Sequence, residues 1–316
     1  MPYIGIDLGG TNTAVGIVDE NGRILAETAD RTPVGQPYAA YLACMSDCIS
    51  RVLNETHLQI TDIRSIGIGI PGIVDESRGM VAQCTNLNWY DVPFQSIMES
   101  TFPVPVLMGN DANLAALAES YAGASIGCSS SVLITLGTGV GSGIILAGRP
   151  WSGAFGQAGE FGHSTLVADG IPCRCGRSGC MEQYCSATAL VRSARQMCGS
   201  FPETMMCRMA GGDPANLTAK MVIDAAKEGD PIACRVFDRY THYLALAIDS
   251  IINTLDPEIV LIGGGISHAG SFLLDAVRAR IPVHENGSPR PIARIELARL
   301  RNGAGIIGAA MLGRQL

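Results

Sequence analysis

Two stretches about 130 residues apart carry the same pattern, and they restrict the fold more than any other feature of the chain. Tyr3-Ile4-Gly5-Ile6-Asp7 reads as a buried strand, Leu8-Gly9-Gly10-Thr11-Asn12 as a tight turn, and Thr13 to Val18 as the returning strand. Ser131 to Leu136, Gly137-Thr138-Gly139-Val140-Gly141 and Ser142 to Leu146 repeat the order strand, glycine turn, strand. Such a repeat implies an α/β chain built from duplicated halves. Both turns have phosphate-binding chemistry. Gly9, Gly10, Gly137 and Gly139 let backbone N–H groups approach phosphate oxygens, and Thr11 and Thr138 add hydroxyl donors. Asp7, at the end of its strand, suits the water shell of Mg²⁺. An ordinary hairpin turn with a buried Asp would account for the first stretch alone, but a glycine/threonine turn in an equivalent position of the second half favours the phosphate reading.

Other phosphate loops do not fit. A Walker A loop needs Gly-Lys-Ser/Thr, and no lysine precedes Lys220. A dinucleotide fingerprint needs a third glycine three positions after the second. Ser142 and Ile144 stand there instead.

A second pattern runs from Glu160 to Glu182: Glu160-Phe161-Gly162-His163, a nine-residue spacer, then Cys173-Arg174-Cys175-Gly176-Arg177-Ser178-Gly179-Cys180-Met181-Glu182. His163, Cys173, Cys175 and Cys180 are the ligand types Zn²⁺ prefers, and four protein ligands close a structural site. Chance clustering or a disulfide would be the plainer explanation. The spacing and the two glycines favour a ligand knuckle. Ordering that loop would also fix the carboxylates of Glu160 and Glu182 at its edges.

The remaining chain reads as an enzyme with room for two domains at 316 residues. Thirty-eight glycines with only 16% charged residues suit backbone-to-ligand approach better than a charged binding module. Net charge is −7 with just two lysines, which argues against nucleic acid as a partner. No apolar run approaches a membrane span, and the N-terminus has no secretion pattern. A cytoplasmic setting with eleven reduced cysteines is therefore expected.

Helices are expected over Pro37–Leu53, from Asp111 through Ala122, and over Ala187–Met197, Thr218–Glu228, Pro231–Thr254, Phe272–Ala279 and Ala304–Leu312. Further strands are expected over Arg23–Ala29, Ile66–Ile70, Val104–Met108 and Ile259–Ile262, the last feeding Gly263-Gly264-Gly265. The expected division is a first domain over 1–112 and a second over 113–303 that carries the knuckle 163–180. The segment 304–316 is expected to return to the first domain. Asn110-Asp111 follows a strand and opens a helix. By itself Asp111 reads there as an N-cap rather than a catalytic group.

Glu-x-Gly-His followed by Cys-x-Cys-Gly-x-x-Gly-Cys-x-Glu resembles the signature of the ROK family of bacterial sugar kinases and sugar-responsive repressors. The resemblance extends along the whole chain. It implies a two-domain actin/hexokinase-type (ribonuclease H-like) ATPase fold with duplicated βββαβα halves and a zinc-binding loop. It implies an ATP- and Mg²⁺-dependent kinase acting on the 6-hydroxyl of a hexose, glucose first, with a homodimer common in the family. By the same resemblance Asp111 is the general base, and Gly72, Asn110, Asp111, Glu160, His163 and Glu182 hold the sugar. Asp7, Gly9, Gly10, Thr11, Gly137, Thr138, Gly139, Gly264 and Gly265 lie on the nucleotide side, and structural Zn²⁺ sits on His163, Cys173, Cys175 and Cys180. Kinases for N-acetylglucosamine, N-acetylmannosamine, mannose/fructose or allose are alternatives within the class. A repressor would carry an added N-terminal DNA-binding segment, whereas the first strand here starts at Tyr3.

Overall fold

The computed structural model describes residues 1–281 and 293–315, so Leu316 and residues 282–292 of the expected segments lie outside it. The chain forms two compact units. One contains 1–131, 143–159 and 299–316, the other 132–142 and 160–298. The expected boundary near residue 112 falls inside the first unit, at the start of a helix.

In chain order the first unit begins with β1 (Tyr3–Leu8), β2 (Asn12–Val18), β3 (Ile24–Arg31), α1 (Tyr38–Thr56) and β4 (Ile66–Ile70). A small sheet absent from the sequence expectations follows: β5 (Ile73–Asp75), β6 (Met80–Cys84) and β7 (Trp89–Val92). Its strands are short and lack clean alternation. Trp89 pins it to the core, with ring centroids 4.8 Å from Tyr41 and from Phe94. Next come α2 (Phe94–Glu99), β8 (Val106–Asn110) and α3 (Asp111–Ala122). The main sheet has the order β3-β2-β1-β4-β8, with β1, β4 and β8 parallel. Their carboxyl ends therefore lie at one edge, where open α/β sheets bind ligands.

The chain continues with β9 (Ser131–Leu136), β10 (Val140–Leu146), β11 (Arg149–Pro150), α4 (Glu182–Cys185), α5 (Ala187–Ser200), α6 (Met205–Met209), α7 (Ala219–Lys227) and α8 (Pro231–Leu255). It ends with β12 (Ile259–Gly263), α9 (Ser271–Arg278), β13 (Arg294–Leu297) and α10 (Ala304–Leu312). The second sheet runs β11-β10-β9-β12-β13, the same order of positions as the first. The duplication read from the two hairpins is thus a duplication of whole sheets.

The longest helix, α8, has both its ends encoded locally. The Asp230 side chain accepts from the N–H groups of Ile232 and Ala233 at 3.1 and 2.7 Å, and Pro231 fills the first position, where no N–H is needed. Asp256 closes the helix in a left-handed conformation just before Pro257.

Helix α10 is apolar on every side because it is buried on every side, packed against β1, β4 and α3 of the first unit. The approach is backbone to backbone. A methyl group on Gly5 or Gly67 would overlap the carbonyl oxygens of Ile306 or Ala309, over-packing of a kind that costs about 1–3 kcal/mol or more. Buried Glu119 secures the start of this segment. Its carboxylate accepts from the N–H groups of Arg299 and Leu300, both at 2.8 Å, and from that of Ala124 at 2.7 Å. A carboxylate with three backbone donors is a strong tether, since hydrogen bonds to charged groups exceed neutral ones.

Candidate active site

The first glycine turn closes β1 onto β2 with the Gly9 N–H donating to the Asn12 carbonyl at 2.9 Å. Thr32, one residue beyond β3, braces it. The Thr32 hydroxyl donates to the Gly9 carbonyl at 2.7 Å, its N–H to the Thr11 carbonyl at 2.9 Å, and its oxygen pairs with the Thr13 hydroxyl at 3.0 Å. Gly10 and Thr11 stay exposed at the tip. Asp7 stands opposite Gly69 of β4, and Gly69 opposite Gly109 of β8. Burial pushes the Asp7 carboxyl above its usual range. A bound divalent cation is the kind of charge that would reverse that shift, so the position suits a Mg²⁺ complex.

At the same edge, β8 ends in Asn110 and α3 starts at Asp111. The cap of α3 is Asn110, not Asp111. The Asn110 Oδ1 accepts from the N–H groups of Ala112 and Asn113 at 3.0 and 3.2 Å, and its amide donates to the Gly72 carbonyl at 3.1 Å. One N–H of that amide is left for another acceptor. Asp111 occupies the first helical position, with one oxygen 2.9 Å from the Ala112 N–H. The capping explanation for Asp111 therefore passes to its neighbour. Gly72 has a packing reason of its own: a methyl there would overlap the Gln83 carbonyl of β6.

In the second unit the turn Gly137-Thr138-Gly139 joins β9 to β10, the Gly137 N–H donating to the Gly139 carbonyl at 3.0 Å. Gly264 lies behind it, with φ of +77° and no room for a side chain against the Leu136 backbone. Gly265 and Gly137 have open space where a Cβ would stand. Neither is glycine because of packing.

The Cys/His loop lies next to this turn. His163, Cys173, Cys175 and Cys180 bring their ligand atoms within 4.8 Å of one another. The His163 Nδ1 and Cys173 Sγ are 3.8 Å apart, and the Sγ atoms of Cys175 and Cys180 are 3.6 Å apart. Zn–S bonds of about 2.3 Å and Zn–N bonds of about 2.0 Å give tetrahedron edges of about 3.5–3.8 Å, close to these separations, so the donor set fits. The same separation is far from an S–S bond of about 2.05 Å, and all eleven cysteines are free. The Arg177 N–H holds the Cys175 thiol below its usual range, while burial pushes Cys180 up to about 12. Three neighbouring thiols become thiolates together only around a cation. Gly176 and Gly179, at φ of +89° and +77°, make the knuckle's turns.

Both ends of the loop land on Val140. At its entrance, Gly162 packs so closely that a methyl group would overlap the Val140 carbonyl, and the Phe161 N–H donates to Ser142 at 3.3 Å. At its exit, the Val140 N–H donates to the Glu182 Oε2 at 3.1 Å, and that carboxylate also occupies the space beside Gly139. Glu160 is exposed, one residue before this contact begins. Sequence reasoning placed Glu182 with the sugar ligands alone and did not foresee this contact. It also passed over Thr32 and Thr188. A hydroxyl meeting a distant carbonyl leaves no mark in local pattern.

A mixed α/β fold with a duplicated sheet order, a glycine turn in each half and a loop that clusters one histidine and three cysteines define the class. The chain belongs to the ROK family, whose profile matches residues 3–315. Among characterised relatives it is similar to a glucokinase of Halalkalibacterium halodurans, 35% identical over 99% of this chain and 95% of that protein. A glucokinase of Streptomyces coelicolor is 36% identical over 99% of this chain and 97% of its own length. Among solved structures, a ROK family glucokinase from Streptomyces griseus in complex with glucose and AMPPNP superposes with a TM-score of 0.81, at 35% identity and with 100% of both chains covered.

Proposed function

We propose that this protein is an ATP-dependent hexose kinase that converts glucose to glucose 6-phosphate. The carrying observation is that Asn110 supplies the cap of α3, so an acid at Asp111 is not required for that role. Its place at the carboxyl end of the parallel strands is where α/β sheets do chemistry.

In this reading Asp111 accepts the proton of the sugar 6-hydroxyl as that oxygen attacks the γ-phosphorus. The new O–P bond forms as the bond to the β,γ-bridging oxygen breaks, and ADP leaves. Asn110 offers its remaining N–H to the sugar, and Glu160, His163 and Glu182 accept or donate to its hydroxyls. The first turn, with Asp7, and the second turn, with Gly264 and Gly265, hold the nucleotide phosphates through backbone N–H groups. Mg²⁺ bound with ATP would neutralise phosphate charge. His163 Nδ1 and the three thiolates would hold a structural Zn²⁺, leaving His163 Nε2 for a sugar hydroxyl. Among the described residues no helix is long and apolar enough to cross a membrane.

Asp111→Asn tests the central assignment. The amide keeps the shape and still accepts hydrogen bonds, but it does not take up the proton. We expect kcat to fall by about 10²–10⁴-fold with glucose binding retained. Turnover within a few-fold of wild type would remove Asp111 from the chemistry.

A further inference from the structure

Three contacts hold the second glycine turn from one stretch of chain, residues 182–188. The Val140 N–H donates to Glu182 at 3.1 Å, the Ala187 N–H donates to the Gly137 carbonyl at 2.8 Å, and the Thr188 hydroxyl donates to the Thr138 carbonyl at 2.7 Å. Thr188 does not cap α5. Ser186 does, accepting from the Ala189 N–H at 3.0 Å. The Thr188 side chain is exposed, and the hydrogen bond is its one evident task.

A peptide unit is planar, and in the trans form its C=O and the following N–H point in opposite directions. None of the peptides here is cis. Holding the carbonyls of Gly137 and Thr138 against the start of α5 therefore turns the N–H groups of Thr138 and Gly139 away from it. Those are the donors a phosphate would meet. We infer that Thr188 is a positioning residue for the phosphate donor: it fixes the Thr138–Gly139 peptide so that its N–H faces the nucleotide. This rests on the kinase reading above and adds a residue that touches neither substrate.

The test uses Thr188→Val, which keeps the β-branched shape and removes the donor, beside Thr188→Ser, which restores it. With the zinc-loaded full chain, Thr188→Val should raise the KM for ATP and the Kd for AMPPNP by about three- to tenfold, the range one net hydrogen bond supports. The KM for glucose should move by less than about twofold, with an unchanged melting temperature. Thr188→Ser should return both nucleotide constants towards wild type. Wild-type affinity for AMPPNP in Thr188→Val would overturn the inference. So would equal losses for ATP and glucose together with a lowered melting temperature, because they would mark a general defect. A wild-type protein that binds AMPPNP but phosphorylates no hexose would defeat the kinase reading alone. The AMPPNP comparison between wild type and Thr188→Val would still decide the positioning role.

Discussion

The two glycine turns have nearly the same composition, and each has a carbonyl held by a threonine hydroxyl at 2.7 Å. They differ in where that threonine comes from. Thr32 follows β3, the next strand of the same sheet, and is locked to Thr13 in a buried pair, so the first turn is braced by its own hairpin neighbourhood. Thr188 comes from a helix about 50 residues further along, and Glu182 and Ala187 come with it. That stretch directly follows Cys180, a member of the Cys/His cluster. The first turn is thus stable wherever the sheet is stable. The second is braced by α4 and α5, which directly follow the Cys/His loop; in the zinc reading proposed above, a metal would hold the shape of that loop.

Removing the metal should separate the two turns most sharply. Purified protein should contain about one zinc per chain. Cys175→Ser, or exposure to a strong chelator, should cost about 10–100-fold in activity. Amide exchange should rise over Gly137–Val140 and stay at its wild-type level over Gly9–Asn12. Equal exchange in both turns after metal loss would abolish the distinction, and active protein without zinc would remove the metal from the account.

A smaller effect is expected from the converse change. Thr32→Val removes the brace of the first turn and leaves the Gly9 carbonyl and the Thr13 hydroxyl short of a partner. Nucleotide affinity should fall by about two- to tenfold, with zinc content and exchange over Gly137–Val140 unchanged. A loss of zinc in this variant would show that the turns are not independently supported.

The comparison also explains what could be read from the chain before its structure. Both strand–turn–strand hairpins, the Cys/His cluster and the buried helix α10 were legible because each is written in contiguous residues with a short period. The β5–β7 sheet was not, since three- to five-residue strands between turns barely differ from loop. The return of the C-terminal helix to the first unit was expected, but the place of 143–159 in that unit was not, because it rests on contacts distant in sequence. Asn110-Asp111 was legible as a pair but not in its roles. Which of two adjacent cap formers accepts the Ala112 and Asn113 N–H groups depends on the exit angle of β8. Glu182 shows the same limit. Its spacing from Cys180 marked it out, yet its bond to the Val140 N–H depends on folding across about 40 residues.

The most direct measurement is ADP release by the zinc-loaded protein with Mg²⁺-ATP over a panel of hexoses. The panel includes glucose, mannose, fructose, allose and the N-acetylated hexosamines. ADP should form only when a hexose is present, fastest per unit of KM with glucose, and in equal amount with glucose 6-phosphate. Faster turnover of another hexose would shift the substrate within the class. No hexose-dependent ADP from folded, zinc-containing protein would contradict the account.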